Sequence, residues 1–331
     1  MRNLTQCAVG VILILLTTTA HSNELAWSLL IMEFIMNPPP IFVAPIRFGV
    51  ALGGGSARGY AHIGALASLE RHGLVPDVIA GTSFGAVVGA LYSSGRSLGE
   101  LKREASKLRR RDVFPHVADF GLHKGALFDG HRLEVYFDQL MEGRTFDDLS
   151  KEFVVVATDV DSGERVLIRS GPLALALRAS ASLPGIFAPV EVNGRRLVDG
   201  GIGSPVPVET LKDLNVDLAL GIGAGIACQD SRAIRLAQRL LNTPVGKRLH
   251  RRLGNSVNHH PLARLGRALA FTADAWVDPQ EVVEELHVQT RPPINWLNFH
   301  RADAAIRAGE EALERFIPQL QLALSRLQVA A

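Results

Sequence analysis

Cysteine is scarce in this chain of 331 residues, which contains only Cys7 and Cys228. Two cysteines so far apart give no disulfide framework and no C-x-x-C ligand pair, so the sequence supports neither a redox role nor a cysteine-based metal site. Hydrophobic residues make up 47% and charged residues 21%, as in an ordinary globular protein. The fold therefore depends on apolar burial, and the length suffices for one large α/β domain or two small ones.

The chain also lacks a long hydrophobic run. The apolar stretches at 8–16 and 25–36 are both shorter than the ~20 residues that a membrane-spanning helix needs. A positive residue before the first stretch and small residues after it are typical of a secretory signal, whereas Met32 or Met36 would be the start if the first codon is misassigned. We expect residues 1–45 to be either a signal or anchor or the result of a misassigned start. In the first case the protein is exported or anchored. In the second case it lies in the cytoplasm or on the inner face of the membrane.

The stretch at 48–91 predicts a strand–helix–strand–helix unit with two glycine-rich turns. The second strand runs directly into a G-x-S-x-G motif, after which a helical pattern resumes. Glycines in this context allow a sharp turn that lifts the serine hydroxyl above the sheet edge. Ser83 is therefore the predicted nucleophile. The remaining residues of this predicted nucleophile elbow are Gly81, Thr82, Phe84 and Gly85.

The first glycine-rich turn, at 53–59, meets a different chemical need. Acyl transfer develops negative charge on a carbonyl oxygen, and backbone N–H groups can approach that oxygen only where no side chain blocks them. Gly54 and Gly55 are the predicted donors. A right-handed crossover through one helix would place both turns side by side at the carboxyl edge of a parallel sheet. This close spacing argues against an ordinary α/β-hydrolase, in which further elements separate the two turns.

A third motif, Asp199-Gly200-Gly201, follows a hairpin turn and a short strand. With the glycine-rich loop at 53–59 and the elbow, in this order, the chain resembles the bacterial branch of the patatin-like phospholipase family, which is related to neuropathy target esterase-type domains. The resemblance covers 48–224 and includes the block at 179–190. Ser56 departs from it, because many members have a further glycine there.

This resemblance implies a three-layer α/β/α sandwich with a central, mostly parallel sheet, and hydrolysis of lipid acyl esters by a serine–aspartate dyad. It implies Ser83 as the nucleophile and Asp199 as the base, with no metal and no other cofactor. The implied oxyanion hole consists of Gly54, Gly55 and Arg58, with Arg58 supporting the loop, and the implied acidic turn is completed by Gly200 and Gly201.

A histidine base is the alternative to Asp199. His287 and His300 follow it in the order serine, acid, histidine that a triad hydrolase can show, and His287 is the first candidate. His62 and His72 lie on or beside the first predicted helix, where packing or capping is the usual role.

Two charged patterns favour structural roles. Asp159 and Asp161 follow a strand at 153–158, and they form either a metal pair or a capped turn. We expect the turn, because no cluster of further ligands accompanies them. The charged helix at 98–111 is expected to be a solvated outer helix rather than an anion site.

Acidic residues are absent from 231–273, where nine arginines and lysines occur. Interleaved leucines and isoleucines predict amphipathic helices, which form either a solvated insertion or a collar that contacts anionic lipid head groups. Nucleic acid is not expected, because aromatic interleaving and a recognised motif are missing. The expected organisation is an N-terminal segment at 1–45, a catalytic core at 46–225, a basic helical insertion at 226–276, and a final strand and helix at 277–331 that complete the same domain.

These patterns predict a serine acyl hydrolase that cleaves fatty-acyl esters of phospholipids or lysophospholipids through an acyl-enzyme on Ser83. Two alternatives use the same fold. One is a soluble carboxylesterase or thioesterase acting on non-membrane substrates. The other is a regulatory or scaffolding protein that binds an acyl ligand or a protein partner with little turnover.

Overall fold

The computed structural model describes residues 46–107, 119, 126–225, 286–295 and 297–330. Three predicted features lie outside these ranges: the N-terminal segment at 1–45, the end of the charged helix at 108–111, and the basic insertion at 226–276.

An eight-stranded sheet forms the centre of the described chain. Its strands are β1 (Phe48–Leu52), β2 (Val78–Thr82), β3 (Glu152–Asp159), β4 (Arg165–Ile168), β5 (Val190–Val192), β6 (Arg195–Asp199), β7 (Leu218–Gly223) and β8 (Leu286–Gln289). The order is β5-β6-β3-β2-β1-β7-β8, with β4 also paired to β3. Neighbours from β3 to β8 in this order are parallel, whereas β4 and β6 are antiparallel to β3, and β5 is antiparallel to β6. The sheet is therefore mixed but mostly parallel.

Helices cover both faces of this sheet. They are α1 (Ala61–Arg71), α2 (Phe84–Ser93), α3 (Leu98–Lys107), α4 (His131–Met141), α5 (Leu173–Ser180), α6 (Val208–Lys212) and α7 (Ala302–Ala330). Val50 and Leu52 of β1 belong to the larger core, which includes residues of α1, α2, α5 and α7. Ala51 belongs to a smaller core with Val208 and Leu211 of α6. This alternation is the two-residue period of a β-strand, and it confirms the predicted three-layer α/β/α class.

The last helix, α7, packs directly on α1 at two glycines. A Cβ on Gly309 would lie 1.8 Å from the carbonyl oxygen of Ala61, and a Cβ on Gly64 would lie 1.9 Å from that of Ile306. Only glycine permits backbones to approach this closely. Because α1 follows the glycine-rich loop, this contact also fixes the helix behind the predicted site. In the part of the chain that the structure describes, α7 and the other helices are too short or too polar to cross a bilayer.

Replacement of Gly309 by alanine should lower the free energy of unfolding by about 2 kcal/mol or more, because the new Cβ forces α1 and α7 apart. Gly99 in α3 is the matched control, since a Cβ there would meet only the guanidinium end of Arg103, at 3.6 Å. Alanine at Gly99 should stabilise the protein by up to ~1 kcal/mol. Urea unfolding measures both effects, and equal effects at the two positions would contradict the close helix contact.

Candidate active site

Ser83 lies in the turn between β2 and α2 with φ 53° and ψ −124°. Residues other than glycine rarely adopt a positive φ, and a serine held this way between a strand and a helix has the geometry of a nucleophile elbow. Gly85 makes the turn feasible, because a Cβ there would lie 2.3 Å from the carbonyl oxygen of Leu52 and 2.5 Å from that of Gly53. The structure therefore gives the predicted nucleophile the backbone conformation that its role requires.

The neighbours of Ser83 in the turn are held by tertiary contacts. Gly81 and Thr82 are the buried last residues of β2, and the Thr82 hydroxyl donates to the carbonyl oxygen of Ser204 at 3.2 Å. The Phe84 ring packs edge-on against Tyr60, with 4.8 Å between the ring centroids. These contacts fix the chain immediately before and after the nucleophile.

The Ser180 hydroxyl holds the backbone of Ser83 in place. It accepts a hydrogen bond from the Ser83 N–H at 2.8 Å and donates one to the carbonyl oxygen of Val156 at 2.6 Å. Ser180 is fully buried at the end of α5. The sequence does not predict this hydrogen bond, which follows only from the position of α5 against β3.

Asp199 is brought to Ser83 by the register of the sheet. Thr82 of β2 pairs with Val156 of β3, and Asp199 of β6 pairs with Ala157, the next residue of β3. Ser83 and Asp199 therefore lie at the same level on either side of β3. This register places the Ser83 side chain next to the Asp199 carboxylate.

Two backbone contacts orient Asp199 further. Its Oδ1 accepts a hydrogen bond from the Gly201 N–H at 2.8 Å, and its own N–H donates to the carbonyl oxygen of Ser182 at 3.0 Å. Gly200 completes the turn where no side chain fits, because a Cβ there would lie 2.1 Å from the carbonyl oxygen of Val156. The predicted acidic turn is thus packed directly against β3.

Burial raises the pKa of the Asp199 carboxyl from 3.8 to about 6. Removal from water disfavours the carboxylate, while the hydrogen bonds from Ser83 and Gly201 favour it and limit the rise. Asp199 is therefore a stronger base than an exposed aspartate, and most molecules still carry it as a carboxylate at neutral pH.

The glycine-rich loop lies beside Ser83, but only one of its two predicted oxyanion donors has a backbone N–H without an acceptor in the described residues. A Cβ on Gly54 would lie 3.5 Å from the Cβ of Ser83, so the two residues are neighbours. The Gly54 N–H, however, donates to the carbonyl oxygen of Pro205 at 3.0 Å. The predicted role of Gly54 as an oxyanion donor does not fit this arrangement, because its only N–H is occupied. Within the described ranges, the Gly55 N–H has no hydrogen-bond acceptor.

Arg58 is buried in the short 3-10 turn Ser56–Tyr60 that follows this loop. Its Nε donates to the carbonyl oxygen of Ile294 at 2.8 Å, and its Nη1 donates to that of Gly225 at 3.0 Å. These bonds join the turn to the end of β7 and to the segment before α7. A part for Arg58 in the oxyanion hole stays a prediction.

The two triad candidates do not take the position of a base next to Ser83. His287 is exposed on β8 and pairs with Gly221 of β7. β8 is three strands from β2, about 14 Å, on the side away from Asp199. His300 is exposed in the turn before α7, and no hydrogen bond between described residues joins it to Ser83 or Asp199.

Charged residues outside the site have structural partners. The His72 Nε2 lies 3.0 Å from a carboxylate oxygen of Glu314 in α7. Asp159 accepts a hydrogen bond from the Asp161 N–H at 2.9 Å, and Asp161 pairs with Arg196, so this pair forms the expected turn. Among the residues that the structure describes, no group of three or more potential ligands is arranged for a metal ion.

Arg178 is a supporting residue that the sequence did not reveal. It is almost fully buried in α5, and its guanidinium donates to the Ser182 hydroxyl and to the carbonyl oxygens of Asp129, Gly130 and Ala188. These bonds hold together two loops that flank the site. Burial lowers the pKa of Arg178 to about 10, so it stays charged at neutral pH.

The α/β fold thus brings together a serine at a strained strand-to-helix turn, a buried acid across one strand and a glycine-rich loop beside the serine, an arrangement that is typical of serine hydrolases. The family model described as Patatin-like phospholipase matches residues 50–212, a range that includes both Ser83 and Asp199. The chain belongs to the patatin-like phospholipase family.

Similar proteins are longer than the shared region. An uncharacterized NTE family protein of Mycobacterium tuberculosis is 36% identical over 176 residues, which are 53% of this chain and 48% of that protein. The lysophospholipase NTE1 of Pyricularia oryzae is 27% identical over 278 residues, which are 82% of this chain and 18% of that protein. The chain thus spans about half the length of the first relative and under a fifth of the second. Among solved structures, VipD from Legionella pneumophila aligns over 83% of this chain and 67% of its own, with 14% identity and a TM-score of 0.44.

The burial of Asp199 should make the folded state less stable as the pH rises. The carboxyl has a pKa near 3.8 when unfolded and about 6 when folded, so between these values the folded state binds more protons. The loss of folding stability that ionised Asp199 causes is absent below pH ~3.8 and complete above pH ~6. From pH 4 to 7, urea unfolding should show the wild type losing roughly 2.4 kcal/mol relative to Asp199→Asn, which does not titrate. A constant difference between the two proteins would contradict this assignment.

Proposed function

We propose that this chain is a serine acyl hydrolase that cleaves fatty-acyl esters of phospholipids or lysophospholipids. The observation that carries the proposal is the position of the strained Ser83 next to the buried Asp199 carboxylate, across one strand of the sheet. Membership of the patatin-like phospholipase family and the similarity to the lysophospholipase NTE1 of Pyricularia oryzae support the substrate class.

In the first step, the Ser83 Oγ attacks the ester carbonyl carbon while Asp199 accepts the hydroxyl proton. The tetrahedral intermediate then collapses, the bond to the alcohol breaks, and the proton on Asp199 passes to the departing alcohol oxygen. The fatty acyl group remains on Ser83 as an ester. A base with a pKa of about 6 suits both transfers, because it accepts a proton near neutral pH and also returns it.

In the second step, water attacks the acyl-enzyme and Asp199 accepts its proton. The bond between the acyl carbon and Oγ breaks, the proton returns to Ser83, and the fatty acid is released. The burial of Asp199 helps both steps, since water does not screen the carboxylate.

Backbone amides next to Ser83 stabilise the negative oxygen in each tetrahedral intermediate. Gly55 and Phe84 supply them, because their N–H groups have no acceptor in the described chain. The Ser83 N–H is unsuitable because Ser180 already binds it. Gly54 contributes by leaving the space beside Ser83 without a side chain.

Ser83→Ala and Asp199→Asn should each lower kcat for fatty-acid release from a labelled lysophospholipid by at least about 10³-fold. Serine removal abolishes the acyl-enzyme, and asparagine cannot accept the serine proton. Asp147→Asn is the matched control, because Asp147 is exposed and outside the site, and it should keep wild-type activity. Undiminished release by either site variant would remove that residue from its proposed role.

The basic segment at 231–273 is proposed to contact the anionic inner face of the membrane, where the lipid substrate lies. Its composition supports this, with nine positive and no acidic residues. No nucleic-acid partner is proposed.

Changing Arg232, Arg235 and Arg239 to glutamine should weaken binding to anionic vesicles at least about tenfold, since each positive residue near such a surface contributes ~1 kcal/mol. Hydrolysis of a soluble short-chain ester should not change. In the control variant, three arginines that are exposed on α7 are changed to glutamine: Arg307, Arg315 and Arg326. This variant should bind vesicles like the wild type. Vesicle co-sedimentation measures binding. Equal loss of binding and soluble-ester turnover would contradict a membrane role.

A further inference from the structure

A buried histidine supports the glycine-rich loop from behind. His62 is the second residue of α1 and is fully buried. Its Nε2 lies 2.8 Å from the carbonyl oxygen of Gly53. This residue has no part in the proton transfers between Ser83 and Asp199.

The contact with Gly53 fixes the position of the ring proton. A carbonyl oxygen only accepts, so Nε2 must carry a hydrogen and donate it. Burial lowers the pKa of His62 to about 4, so the ring is neutral at physiological pH. The other nitrogen, Nδ1, is buried without a hydrogen-bond partner among the described residues. His62 therefore acts through one N–H donor.

Further hydrogen bonds and a close backbone contact fix the Gly53–Gly54 peptide, whose carbonyl oxygen accepts the hydrogen bond from His62. The Gly53 N–H donates to the carbonyl oxygen of Ile222 at 2.9 Å, and the Gly54 N–H donates to that of Pro205 at 3.0 Å. The same Gly53 carbonyl oxygen packs against Gly85 of the elbow, where a Cβ would lie only 2.5 Å away. His62 thus holds a carbonyl oxygen of the loop that packs against the elbow.

We propose that His62 is a positioning residue that locks the Gly53–Gly54 peptide and thereby sets the place of the Gly55 amide relative to the Ser83 hydroxyl. The inference rests on the proposed function. Donors to a developing oxyanion act only within a narrow range of distance, so a small displacement of this loop reduces catalysis without altering the acid or the nucleophile.

Replacement of His62 by glutamine or by asparagine tests this role, because the two amide side chains differ only in length. His62→Gln places an N–H donor near the original Nε2 position, whereas His62→Asn stops one methylene short and leaves the Gly53 carbonyl unsatisfied. With a soluble short-chain ester, His62→Asn should lower kcat about tenfold with KM unchanged, because the loss falls on the transition state. His62→Gln should keep kcat within about threefold of the wild type. The control pair His72→Gln and His72→Asn, at the other end of α1, should leave kcat unchanged.

The outcomes separate this inference from the proposed function. A wild type that does not react with a fluorophosphonate at Ser83 would refute the proposed function. A reactive wild type with equal kcat in the two His62 variants, corrected for folded fraction by circular dichroism, would refute the positioning role alone. Histidine ¹⁵N NMR of the wild type needs no variant to fold, and it should show a neutral His62 with the proton on Nε2 from about pH 5.5 to 8.5. A proton on Nδ1, or titration in this range, would also refute the positioning role.

Discussion

The backbone of Ser83, at φ 53° and ψ −124°, is the constraint on which the rest of the site depends. A non-glycine residue in this conformation costs about 1–3 kcal/mol, so the surrounding structure must hold it there. The Ser180 hydroxyl binds its N–H, and Gly85 allows α2 to begin directly beneath the carbonyl oxygens of Leu52 and Gly53. The strain turns the serine side chain out of the strand and toward a neighbouring carboxylate.

That carboxylate is delivered by β6, which belongs to the antiparallel part of the sheet. β6 runs opposite to β3 and pairs only with its carboxyl end, so its last residue, Asp199, lies beside Ala157 and level with Ser83. Because the acid and the serine are neighbours across β3, no ring is needed between them. Burial then raises the pKa of Asp199 to about 6, which supplies the basicity that a histidine gives in a triad.

The local parts of the site could be predicted from the sequence, because each is a short pattern with its own turn chemistry. The elbow at Ser83 and the acidic turn at Asp199 are examples. Contacts between distant segments could not be predicted. The bond from Gly54 to Pro205, which removes a predicted oxyanion donor, depends on how the chain returns before α6. The hydrogen bond from Ser180 to Val156 and the pairing of the four-residue strand β4 likewise depend on how distant segments meet β3, which no local pattern encodes.

We propose that Asp199 accepts the Ser83 proton without help from a histidine. The dependence of kcat/KM on pH, measured with a soluble short-chain ester, tests this most directly. The predicted profile rises once, with a midpoint at about 6, and stays unchanged when His287 and His300 are both replaced by glutamine. Loss of activity, or a shifted midpoint, in that double variant would contradict the claim.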